Sequence, residues 1–266
     1  MCLLMLAWRT HPRYRLVVAA NRDEYHERPA APLAKWPSPG ELLAGRDLRA
    51  RGTWLGVDRR RRFGVVTNFR ELQRAQPDAP SRGGLVPRYF GAMAGADDAL
   101  SAGEFFAALE PQAARYCGFN LLLTDEDSLW YGSNRAAPFA RALPPGVYGL
   151  ANELLDTPWP KLERVRGGFE ALLRESRPSP AALFALLADR TQTLDATSPA
   201  PIGGLPAQWV RVLSAPFVLN PEYGTRCSTV LLLEGAGQLY LAERRFDPAG
   251  ELVGETEFAL DAGEWP

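Results

Sequence analysis

At 266 residues, 46% hydrophobic and 23% charged, the chain has the make-up of an ordinary folded protein and not of a disordered or membrane-embedded one. A formal net charge of −1 gives no global attraction for nucleic acid. Three cysteines (Cys2, Cys117 and Cys227) cannot all pair within one chain and lack metal-ligand spacing, which fits reduced thiols in a cytoplasm. The cationic charge is almost all arginine, Lys35 and Lys161 being the lysines; this reads as the coding bias of a GC-rich bacterial genome.

The opening Met-Cys-Leu-Leu-Met-Leu-Ala-Trp is apolar but stops at Arg9 and has no basic lead, too short for a signal peptide or a membrane span. Strand-like runs at 2–8 and 15–21 flank a turn at His11-Pro12, predicting an antiparallel hairpin. The segment 30–47 reads as a solvated loop, with Gly45-Arg46-Asp47 as an alternative anion contact. A second hairpin is predicted from 53–58 and 63–68, its arginine run 59–62 forming a solvated turn rather than a phosphate site. Helical spacing follows at 85–93 and 102–109. A third hairpin joins 116–124 to 128–132 around Asp125-Glu126-Asp127.

The stretch 158–174 has proline in its first turn and Leu162, Val165, Phe169, Leu172 and Leu173 on one face, predicting a helix. Another helix is predicted at 179–188, opened by Ser-Pro, then a long loop at 191–208. A fourth hairpin, 226–233 with 238–246, and a last strand at 252–260 close the chain. No repeat and no linker divide it. The expectation is one domain over residues 1–266, of α+β class, with sheets covered by helices.

Cys2 directly follows the initiator methionine. Trimming of Met1 would expose a residue carrying both a thiol and a free α-amine. A thiol attacks carbonyl carbon as thiolate, and free cysteine loses its proton near ~8.5. An α-amine titrates near ~7.7–8.0 and is able to take that proton. The alternative is an apolar residue that merely opens a strand.

Four polar clusters stand at the ends of apolar strands. Asn21-Arg22-Asp23-Glu24 follows Leu16-Val17-Val18-Ala19-Ala20, and a capped turn is its bland alternative. Thr67-Asn68-Phe69-Arg70 supplies an Asn68 side-chain N–H suited to an oxyanion. Leu150-Ala151-Asn152-Glu153 precedes Leu155-Asp156-Thr157-Pro158-Trp159-Pro160-Lys161, where Asp156 or Thr157 reads as a helix cap. Tyr223-Gly224-Thr225-Arg226-Cys227-Ser228-Thr229 feeds the run 230–233, and an arginine entering a buried strand needs an anion. Trp36, Trp54, Trp159 and Trp209 lie in or beside loops, where core packing and a pocket wall are both open readings.

These clusters, together with Met1-Cys2, resemble the signatures of the NRDE family, also called the transport and Golgi organization protein 2 family, in the same order along nearly the whole chain. Cys227 departs from the serine usual there. The family in turn resembles the N-terminal nucleophile (Ntn) hydrolases of the bile-salt hydrolase and penicillin acyltransferase type, which implies an αββα sandwich of two antiparallel sheets. The resemblance implies catalytic roles for Cys2, Asp23, Asn68, Asn152 and Arg226, with Asn21, Arg22, Glu24 and Arg70 binding substrate. Arg22 does not match the arginine that lies a few residues before the aspartate in those hydrolases.

Two functions lead, with a peptidase-like self-processing enzyme ranked last because cysteine already stands at position 2. The first is an N-terminal-cysteine amidohydrolase or acyltransferase acting on a linear, non-peptide C–N bond through an acyl-Cys2 intermediate, with no metal and no cofactor. The second is a non-catalytic trafficking protein handling haem or a lipid or acyl-CoA conjugate, as the family implies. The sequence itself offers haem only His11 and His26 and no Cys-x-x-Cys-His. The expected partner is a small amide, acyl conjugate or haem, not nucleic acid.

Overall fold

A computed structural model describes residues 2–37, 41–71, 78–92, 100–192 and 207–266. The strands are β1 (Cys2–Trp8), β2 (Tyr14–Tyr25), β3 (Ala30–Lys35), β4 (Leu42–Asp47), β5 (Leu55–Asp58) and β6 (Phe63–Asn68). They continue as β7 (Phe119–Thr124), β8 (Leu129–Ser133), β9 (Ala140–Leu143), β10 (Gly146–Leu150), β11 (Tyr223–Glu234), β12 (Leu239–Phe246) and β13 (Leu252–Leu260). The helices are α1 (Leu85–Tyr89), α2 (Ala102–Leu109), α3 (Pro160–Leu172), α4 (Pro180–Leu187) and α5 (Ala207–Val212). The chain divides into two compact units: Met1–Glu27, Arg70–Leu72 and Pro145–Gly263 form the first, and Arg28–Phe69, Gln73–Pro144 and Glu264–Pro266 the second.

The first unit holds a six-stranded antiparallel sheet in the order β10-β1-β2-β11-β12-β13. Alternation sends Leu3, Met5, Ala7, Val17, Ala19, Val230 and Leu232 to one face. There they bury the apolar stripes of α3 (Leu162, Val165, Phe169) and α4 (Leu183, Phe184, Leu187). β1 and β2 are buried on both faces, Leu4, Leu6, Leu16 and Val18 being as inaccessible as their neighbours. This explains why both strands read as continuous apolar runs.

The second unit is a seven-stranded antiparallel meander, β3 to β9 in chain order. Val66, Leu121 and Leu123 pack with Val86 and Tyr89 of α1 and Phe105, Phe106 and Leu109 of α2. Two antiparallel sheets with helices bear out the α+β class.

Two local expectations need correction. The segment 30–47 is not a solvated loop but the pair β3–β4. Its prolines disguised it: Pro32 lacks an N–H, which an edge strand such as β3 tolerates. Trp36 is buried beneath Arg46, whose guanidinium carbon lies 4.5 Å from the ring centroid. Asp47 takes Arg28 Nε at 2.6 Å and the N–H groups of Arg49 and Ala50 at 3.0 and 2.8 Å. The arginine turn is only half solvated: Arg59 and Arg60 are exposed, while Arg61 and Arg62 are buried. Of the predicted loop 191–208, residues 193–206 lie outside the described residues, as does the predicted helix end at Met93.

Asp125 ties the β7–β8 turn to the start of α2. Burial alone would raise its carboxyl. Hydrogen bonds from Ser128 Oγ and from the N–H groups of Ala102, Ser128 and Asp127 outweigh this and hold it below the usual range. A carboxylate held low in the folded state stabilises above its unfolded value of about 3.9 and loses that contribution as pH falls through the folded one. Asp125→Asn is therefore expected to lower Tm at neutral pH, with the gap to wild type closing on acidification below about pH 4. Calorimetry across pH measures this, and a gap independent of pH rules it out.

Candidate functional site

Register assembles the site at one end of the six-stranded sheet. Cys2 lies opposite Arg22, Arg22 opposite Cys227, and Cys227 opposite Arg245. Directly opposed residues of antiparallel strands project to the same face, so these four form one row across β1, β2, β11 and β12. Glu243, two residues from Arg245 along β12, shares that face and is 2% exposed. Cys2 is half-buried, and its N–H donates to Asn152 Oδ1.

Asn152 reaches Cys2 from the loop after β10, with φ +66° and its side chain buried. Asparagine is among the few residues that adopt this left-handed conformation readily. Its carbonyl accepts the Arg70 N–H at 2.6 Å, and Arg70 Nη2 donates to Ala151 O at 3.3 Å. The Arg70 guanidinium is stacked on Trp159, 4.0 Å from the ring centroid, with Nη1 3.7 Å from Glu153. Burial brings Arg70 down to about 10, with Glu153 opposing the shift, while burial raises Glu153 against the pull of Arg70. Arg70 thus underlies the Asn152 turn.

The opposite face carries Asn21 and Asp23. The Asn21 amide donates to Leu187 O at 2.8 Å and Pro216 O at 2.9 Å, and its oxygen accepts from Ser228 Oγ at 2.6 Å. Asp23 Oδ1 accepts from Thr225 Oγ1 at 2.7 Å, and Oδ2 from Lys161 Nζ at 3.2 Å. Glu24 lies 3.9 Å from Arg22 and caps the Tyr25 N–H at 2.9 Å.

Arg226 is the extra residue of a β-bulge, since Thr225 pairs with Asp23 and Cys227 with the adjacent Arg22. Its Nη1 donates to Tyr25 O and His26 O, both at 3.0 Å. Burial, then the neighbouring Arg22, lowers Arg226. Burial first, and Glu243 next, hold the Cys227 thiol well above its usual range, with Arg22 opposing.

The first unit therefore gathers Cys2, Asn21, Arg22, Asp23, Glu24, Arg70, Asn152 and Arg226 from the residues singled out in the sequence. Asn68 ends β6 in the second unit and is exposed. Sequence reasoning passed over Lys161, Thr225 and Glu243 as site residues, although the first two lie inside motifs it had marked. His11 is committed to the fold: its Nδ1 accepts the N–H groups of Arg13 and Tyr14, and its Nε2 meets Glu175 O at 2.9 Å.

The class defined here is an α+β protein of two antiparallel sheets, one bearing a cysteine-centred polar cluster at its end. The chain belongs to the Transport and Golgi organisation 2 family, whose sequence pattern matches residues 1–248. It is 33% identical to the Transport and Golgi organization 2 homolog of Mus musculus, over 92% of each chain. It is 34% identical to the corresponding homolog of Bos taurus, over 98% of this chain and all of that one. The Drosophila melanogaster Transport and Golgi organization protein 2 is 26% identical over 94% of this chain and 95% of its own. These relatives bear out the family read from the motifs. They are eukaryotic, so the bacterial origin read from the arginine bias draws nothing from them. Among the described residues no helix is long and apolar enough to cross a membrane.

Proposed function

We propose that the chain performs the transport role for which its relatives are named, carrying haem or a small lipid or acyl-CoA conjugate in the cytoplasm. Similarity along almost the entire length to proteins named for transport and Golgi organization carries this reading. The half-buried Cys2 thiol offers such a cargo a soft ligand, with the buried Arg22 opposite it on β2.

A second reading is favoured by one particular contact, the Cys2 N–H on Asn152 Oδ1. It makes the chain an Ntn-type cysteine amidohydrolase or acyltransferase, with the αββα sandwich that this type implies. The α-amine of mature Cys2 takes the thiol proton, and sulfur attacks the amide carbon. The C–N bond breaks as that proton passes to the leaving amine, and water then hydrolyses the thioester. In this reading Asn152 helps hold the amine, Asp23 accepts a hydrogen bond from it and fixes its orientation, and Arg226 stabilises the thiolate, while the oxyanion role of Asn68 rests on the family resemblance alone.

One pair of measurements separates the two. Haem is titrated into wild type, Cys2→Ala, His11→Ala and His26→Ala by absorbance, while acyl-amide and acyl-CoA panels are screened for turnover and for an adduct on Cys2. Saturable binding without turnover is the expected result, with His11→Ala binding as wild type does. Turnover that disappears in Cys2→Ala, with an acyl adduct in wild type, replaces transport by hydrolysis.

A further inference from the structure

Lys161 is the second residue of α3, yet its side chain is entirely out of solvent. Its Nζ lies 3.2 Å from Asp23 Oδ2, and neither side chain of the pair has any exposed surface. The other Asp23 oxygen is held by Thr225 Oγ1, which itself accepts the Val218 N–H at 2.9 Å. Tyr223 Oη donates to the Asp23 carbonyl at 2.8 Å. Carboxylate and backbone of one residue are thus fixed from α3, from β11 and from the segment before it.

Stability does not account for such a pair. Desolvating two charges costs several kcal/mol each, and an apolar pair of equal volume often serves the fold as well or better. The placement is more telling. Asp23 adjoins Arg22, the residue facing Cys2 across β1 and β2, so its backbone stands level with the amine end of Cys2 while its side chain lies on the helix face, away from the sulfur. A net negative charge near the α-amine of mature Cys2 would keep that amine protonated and unable to accept the thiol proton. The Lys161 ammonium cancels that charge and leaves a fixed dipole.

We propose that Lys161 is a positioning residue for Cys2, neutralising and orienting Asp23 so that the end of the sheet favours a reactive thiol. The inference rests on the second reading above, in which Cys2 reacts through its sulfur. Lys161 acts through Asp23 and does not itself touch a reacting atom.

The test needs no substrate. The full-length chain, its mature N-terminus verified by mass, is alkylated with iodoacetamide across neutral and alkaline pH. The rate at Cys2 is read by peptide mass mapping, alongside Tm. Lys161→Met is expected to slow Cys2 about 10-fold near neutral pH and to displace its pH profile upward. Lys161→Arg should stay within about 3-fold of wild type, since the charge is kept. Asp23→Asn, which leaves the ammonium uncompensated, should displace the profile downward. The combined Asp23→Asn, Lys161→Met chain should return it toward wild type.

A purely structural role would lower Tm in Lys161→Met and leave the profile in place, which overturns the proposal. Should Lys161→Met not fold, an unmoved profile in Asp23→Asn overturns it equally. A wild-type Cys2 no faster than glutathione under the same conditions sinks the reactive-thiol reading itself, a result distinguishable from an unmoved profile.

Discussion

Iodoacetamide added to the native protein will mark Cys2 at least ~100-fold faster than Cys227. Both thiols belong to the same row across the sheet, one strand either side of Arg22. Their surroundings differ. Cys227 is 4% exposed in the middle of the sheet, and burial together with Glu243 keeps its proton on sulfur. Cys2 begins an inner strand and is half-buried. The thiolate is the nucleophile, so a thiol held protonated and out of reach is inert on both counts. Cys227→Ser, the residue usual in the family, should therefore leave the Cys2 rate within about 2-fold, because a buried, protonated thiol supplies no charge to its neighbour. Peptide mapping of a short native pulse decides it. Comparable labelling of Cys2 and Cys227 would mean that the register across β2 and β11 is wrong.

Arg62→Met is expected to cost about 3–5 kcal/mol, the range for removing one partner of a buried ion pair. Arg62 Nε lies 2.7 Å from Asp58 Oδ2, with both side chains 7% exposed, and the Arg62 N–H donates to Oδ1 at 2.8 Å. The guanidinium also covers Tyr89, 4.7 Å from its ring centroid. Burial already raises the Asp58 carboxyl, with Arg62 as the main opposing influence. A folded value above the unfolded one contributes stability in acid that is lost as pH rises. Without Arg62 the orphaned carboxylate raises this penalty, so the deficit should be greatest near neutrality and shrink on acidification. Asp58→Leu combined with Arg62→Met should recover most of the loss, since neither charge then remains buried. Denaturant titration of the three chains measures it; a deficit below ~1 kcal/mol, typical of exposed pairs, would show the pair to be solvated.

The hairpins were readable because turn residues punctuate them: Pro12, the arginine run, Asp125-Glu126-Asp127 and Gly235 through Gly237 each separate two apolar runs. β3, its partner β4, β9 and β10 were not, for different reasons. β3 carries Pro32 at an edge, while β9 is four residues long with Arg141 and Ala142 exposed. β10 carries Gly146 and Gly149 in five residues. At Gly149 an added Cβ would come within 2.5 Å of Leu162 Cδ1 in α3, so a side chain there would require Leu162 to shift.

The polar clusters at strand ends announced most of the site. Their division between two faces was hidden, since it depends on register and on the bulge at Arg226. Lys161 was concealed by its type. A lysine in the first turn of an amphipathic helix is read as solvated, and nothing local tells that its partner lies 138 residues earlier.

The doubled step in β11 has a consequence for how the strand tolerates change. Excising Arg226 would bring Thr225 and Cys227 onto consecutive rungs opposite Asp23 and Arg22, where ordinary alternation already sends them to opposite faces. The pairing with the carboxylate on one side and the thiol row on the other would survive that deletion, and what would go is the guanidinium that bridges the Tyr25 and His26 carbonyls.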